Sequence, residues 1–150
     1  MTTDEHWITF SVALRINAPS IDLNGLEQVL DLRHTTFLTK GCKLRKLTYR
    51  GEQDKWVCNI AKGEVSNWDF IVDQVRSILQ PKVHILAEIP RLFNCHVELY
   101  ISCHSDLASS SFELPVSLLV LLAHAKLPLR ISILSWGQVD DCHPVPIDDA

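Results

Sequence analysis

Residues 6–16 read His-Trp-Ile-Thr-Phe-Ser-Val-Ala-Leu-Arg-Ile. Ile8, Phe10, Val12, Leu14 and Ile16 fall on one parity; Trp7, Thr9, Ser11, Ala13 and Arg15 fall on the other. Successive strand side chains point to opposite faces, so this alternation belongs to a half-buried strand. Residues 94–104 repeat it, with Cys95, Val97, Leu99, Ile101 and Cys103 set against His96, Glu98, Tyr100, Ser102 and His104. Two long strands that are polar on one side imply a sheet covered on one face only.

Outward from these strands the period changes. Pro19-Ser20 breaks the first strand, and residues 22–31 carry Leu23, Leu26, Val29 and Leu30 on one helical stripe. Residues 44–49 are expected as a strand before a turn at 51–54. Residues 55–62 follow as its hairpin partner, with Trp56, Cys58 and Ile60 inward. Ser66-Asn67-Trp68-Asp69 offers a helix N-cap, after which Trp68, Ile71, Val72, Val75, Ile78 and Leu79 recur at helical spacing. Pro81 interrupts and opens a second helix running to about residue 91. Residues 114–122 read as a buried apolar helix behind Pro115, and residues 127–136 as the last strand. There Leu129, Ile131 and Ile133 oppose Arg130, Ser132, Leu134 and Trp136.

The order β-α-β-β-α-α-β-α-β predicts one α+β domain over residues 1–136. It is a two-layer sandwich of mostly antiparallel sheet with helices packed on one face. Residues 137–150, with four aspartates, read as an acidic and partly disordered tail.

The 150 residues, 47% hydrophobic and 21% charged, have globular rather than disordered composition. The net charge of −4 argues against a dedicated nucleic-acid binder. No secretory signal is expected at the amino terminus, and the longest apolar run is about half of a bilayer span, so no membrane partner is expected. Cys42, Cys58, Cys95, Cys103 and Cys142 are odd in number, widely spaced and without a Cys-x-x-Cys pair. That pattern fits a reducing cytoplasm.

Three Cys-His dipeptides, at 95–96, 103–104 and 142–143, suggest metal at first sight. Adjacent strand residues point to opposite faces, so neither strand dipeptide can chelate through both members; no metal and no cofactor is expected. His96, Glu98 and His104 share the polar face, and a histidine beside a carboxylate can do acid–base work, which keeps a small hydrolase or transferase as an alternative. Arg33, Lys40, Lys43, Arg45, Lys46 and Arg50 form a basic run containing Phe37 and Tyr49, which keeps RNA binding as another. The leading expectation is a non-catalytic protein-binding module. Trp7, Tyr100 and Trp136 would anchor a partner on the open face, beside Arg15, His96, Glu98, His104 and Arg130, with Lys43 and Arg45 steering. A homodimer through the sheet is one version of that expectation.

The Lys40-Gly41 step, the Trp56 strand, the Ser66-capped helix, the 97–104 strand, the Phe112-Glu113-Leu114-Pro115 helix start and the 129–133 strand follow the opening strand in order. Together they resemble a family of small, mainly bacterial proteins catalogued as domain of unknown function 4279. The resemblance spans residues 6–136 and implies a small cytoplasmic α+β fold with no settled activity. An immunity or regulatory protein acting on a partner is the role suggested by analogy with other small bacterial domains.

Overall fold

The opening alternation becomes β1 (Ile8–Ala18) in a computed structural model that describes residues 8–41, 52–106 and 111–135. The chain continues through α1 (Leu23–Leu30), β2 (Thr36–Leu38), β3 (Asp54–Glu64), α2 (Trp68–Leu79), α3 (Val83–Phe93), β4 (His96–Ser105), α4 (Val116–Ala125) and β5 (Leu129–Ser135). The strands lie in the order β2-β3-β1-β4-β5. All neighbours are antiparallel except β4 and β5, which run parallel with α4 as the crossover that a parallel pair requires. The expected two-layer α+β sandwich is therefore what forms.

The core lies between the layers. Phe10, Val12, Leu14 and Ile16 of β1 and Val97, Leu99, Ile101 and Cys103 of β4 meet Leu26, Ile71, Leu79, Leu86, Ile89, Leu118 and Leu121 from the helices. Each fully buried aliphatic side chain stabilises the fold by about 1.5–3 kcal/mol. Helix α1 is capped by Asp22, whose Oδ1 accepts from the Gly25 N–H at 3.3 Å. Asp31, Asn94 and Lys126 take left-handed conformations that end α1, α3 and α4.

Four local expectations change. The second strand is β2 at 36–38; residues 44–49, where a strand was expected, lie outside the described residues, as does the tail. Helix α2 is entered through a 3-10 turn, Val65–Asn67, and Asn67 makes no capping bond with its side chain. Helix α4 is not wholly buried, since Val116, Leu119 and Val120 are exposed. In β3 the alternation breaks: Val12 pairs with Ala61 but Ala13 with Asn59, so Ile60 is a bulged residue. The inward position passes from Ile60, which is half-buried, to Ala61 and then Gly63. A Cβ on Gly63 would come within 3.1 Å of the Ile71 side chain, so α2 sits directly on the strand there.

Two contacts tie loops to this frame. The Trp68 ring packs on Phe10 at 4.5 Å and Phe112 at 5.4 Å between centroids, and its Nε1–H donates to the Glu113 carbonyl at 2.7 Å. That holds the segment before α4 against the start of α2. Buried Asp54 accepts from the Ile21 N–H at 2.9 Å and the Lys40 N–H at 2.8 Å, one per carboxylate oxygen. These bonds hold its carboxyl below the usual aspartate range, the Ile21 bond contributing most.

Replacing Trp68 by Phe should cost about 1 kcal/mol, the usual worth of one hydrogen bond. Replacing it by Ala should cost about 3–5 kcal/mol, because a cavity is added. Chemical denaturation followed by circular dichroism tests the ranking. Asp54→Asn should destabilise the chain by about 1–3 kcal/mol at neutral pH, since the amide turns a donor toward a backbone donor. A depressed carboxyl stabilises the fold above its unfolded pKa, near 3.9, and loses that contribution as pH falls through the folded value. The gap between wild type and Asp54→Asn should therefore be full at pH 7 and close below about pH 4.

Candidate binding face

The face opposite the helices is built by register. Arg15 on β1 stands beside Glu98 on β4, Asn17 beside His96 and Thr9 beside His104. Tyr100 on β4 stands beside Arg130 on β5. Six of the residues expected on an open face thus share it: Arg15, His96, Glu98, Tyr100, His104 and Arg130. Trp7, Lys43, Arg45 and Trp136 lie outside the described residues.

At the centre Glu98 is only 4% exposed. Its Oε2 accepts from Arg130 Nε at 3.0 Å and lies 3.4 Å from His96 Nε2. The Arg15 guanidinium sits 4.3 Å from the Tyr100 ring centroid, a cation–π contact worth about 0.5–1 kcal/mol at an accessible site. Tyr100 therefore lies between two arginines, one stacked on its ring and one held by Glu98. The carboxylate is engaged in positioning Arg130, which keeps a cation at a set place on the surface.

Toward the other end, a shallow cavity of about 510 Å³ is lined by Thr9, Phe10, Ser11, Lys62, Gly63, Glu64 and His104. His104 Nε2 is 3.0 Å from Ser102 Oγ. Lys62 and Glu64 reach this face only because of the bulge at Ile60; uninterrupted parity would turn them into the core. Sequence reasoning missed both. The available signal was a lysine at an inward position next to a glycine, which is the mark of a broken alternation.

The histidines do not converge. His96 and His104 are eight residues apart on one strand, about 26 Å at ~3.3 Å per residue. Among the described residues no group of three or more His, Cys, Asp or Glu is arranged to hold a metal ion. Cys103 is fully buried in the core, and burial pushes the Cys95 thiol up to about 11. Burial, with the nearby Glu27 charge, raises Cys58 as well. These two thiols are protonated at neutral pH and poorly nucleophilic. Of the basic run, Arg33 and Lys40 are described; Arg33 lines a surface cavity with Glu27 and His34, and the Lys40 backbone serves Asp54.

No helix among the described residues is long and apolar enough to cross a membrane. Neither the curated proteins nor the solved structures yield a match to this chain. One family's sequence model does match, over residues 8–136, from the first residue of β1 to just past the end of β5. With nearly the whole domain inside that match, the chain belongs to the family described as Domain of unknown function (DUF4279).

Proposed function

We propose that this chain is a non-catalytic protein-binding module whose open sheet face docks the acidic surface of a partner, in a neutralising or regulatory role in the bacterial cytoplasm. The observation that carries this is the sign of the face. Register and the bulge bring Arg15, Lys55, Lys62 and Arg130 to it against Glu64 and Glu98, although the chain as a whole has net charge −4. Glu98 is largely covered and paired with Arg130, which leaves Arg15 and Lys62 against Glu64.

A preset cationic face with an aromatic ring suits recognition by steering and anchoring, where arginine and tyrosine are the usual hot-spot residues. Cys58, Cys95 and Cys103 are not joined in disulfides, in agreement with a reducing compartment. The hydrolase or transferase alternative keeps His96 beside Glu98 at 3.4 Å, with His104 eight residues further along the strand.

The test uses the full chain and its Arg15→Glu and Tyr100→Ala variants as bait in native lysate, with eluates analysed for protein by mass spectrometry and for nucleic acid. Wild type should retain one near-stoichiometric protein with an acidic surface. Arg15→Glu should retain it at least about tenfold less well, equivalent to ~1.4 kcal/mol, with its own melting temperature little changed. A partner held equally well by both variants would remove the open face from the proposal; nucleic acid in the eluate would point to RNA.

A further inference from the structure

We infer that β5 is a self-association edge through which two copies of this chain join their sheets. The two edges of the sheet differ. β2 has three residues, whereas β5 has seven and contains no proline, no lysine and no bulge. Natural sheets blunt exposed edges with those devices to prevent unwanted pairing. The single charge in β5, Arg130, is tied to Glu98 within its own chain. Among the described residues no strand pairs with the outer side of β5.

The Leu99 N–H donates to the Pro128 carbonyl at 2.9 Å, which sets the direction of the peptide groups that follow. In a parallel ladder alternate residues bond the same neighbour, so the peptide groups of Leu129, Ile131 and Ile133 point away from β4. Beside these donors and acceptors stand exposed apolar side chains. Ile131 is 40% and Ile133 57% exposed on the helical side, and Leu134 is 51% exposed on the open side. The crossover helix α4, which precedes β5 in the chain, carries its own exposed stripe of Val116, Leu119, Val120 and Ala123 at i, i+3, i+4 and i+7.

The sequence of β5 is complementary to itself about its middle residue, Ser132. A two-fold axis there pairs the strands antiparallel and places Ile131 opposite the second copy's Ile133, once on each side of the axis. It also sets Arg130 opposite Leu134 of the second copy, so like charges do not meet, and Ser132 opposite itself. Such matching of one patch with its own image is what an isologous interface requires. Ile131 and Ile133 become hydrogen-bonded positions and Ser132 a non-hydrogen-bonded pair, where Cα atoms stand about 4.5 Å apart. Arg15 and Tyr100 take no part, and of the cations assigned to the open face only Arg130 lies on the paired strand.

The register gives the test. The full chain carrying Cys42→Ser and Cys142→Ser is followed by sedimentation velocity at micromolar concentrations. It should sediment as a dimer, and Ile133→Lys should raise the dissociation constant at least about tenfold while leaving the circular dichroism spectrum unchanged. In the same background, Ser132→Cys should form a disulfide-linked dimer under mild oxidation. Leu134→Cys should not, its two copies lying four residues out of register, about 14 Å apart and beyond disulfide reach. A monomeric parent chain would overturn the proposal. So would a dimer indifferent to Ile133→Lys, or one that cross-links at position 134 as readily as at 132.

Discussion

The register of β1 between β3 and β4 is the constraint on which the remaining structure depends. Ten residues of β1 pair with each neighbour, so the identity of every residue on both sheet faces follows from that central strand. Its apolar parity commits one face to the helices, because exposing Phe10, Val12, Leu14 and Ile16 together would forfeit the main favourable contribution to folding. Its polar parity takes the other face, on which no helix packs among the described residues. The bulge opposite Val12 and Ala13 is the one place where the commitment is reversed, and there α2 closes on the backbone at Gly63. One extra residue in β3 thus accomplishes two things: close helix-to-sheet packing and delivery of Lys62 and Glu64 to the open surface.

On that surface the buried carboxylate of Glu98 organises the rest. An ion this covered would be costly without a partner, and Arg130 and His96 supply its neighbours. The arrangement sets a histidine and an arginine against one carboxylate oxygen. Its geometry holds an arginine in place, and the second histidine of the strand stands too far away to join it. The Arg15–Tyr100 stack has the same character, restricting a long flexible cation. Restricting such side chains in advance lowers the entropy lost on binding.

The helical side shows a different kind of imbalance. The pattern of α4 is apolar nearly all round, and half of it is spent on the core through Leu118, Leu121, Leu122 and Ala125. The other half faces outward on the crossover that leads into the exposed edge strand. Among the described residues no strand lies outside β5, so exposed apolar groups and an edge strand come together there, the two features that favour sheet extension. The short β2 edge lacks the length to do the same.

Much of this was legible in residue order alone. Strict alternation in residues 8–16 and 95–104 identified both central strands and the face each side chain takes, because a period of two admits no other arrangement over that length. The helices followed from their 3.6-residue stripes, and with them the α+β class and the family resemblance. Tertiary structure decided what periodicity cannot encode. Strand order, the parallel pairing of β5 and the three-residue β2 depend on partners distant in sequence. The bulge at Ile60 turns on how closely α2 can approach Gly63. Glu98 looked like any solvated carboxylate in a polar parity; only the neighbouring strands place Arg15 beside it and bring Arg130 to its carboxylate. Local pattern specifies which side of an element is apolar, whereas contacts across the sheet determine what each polar residue meets.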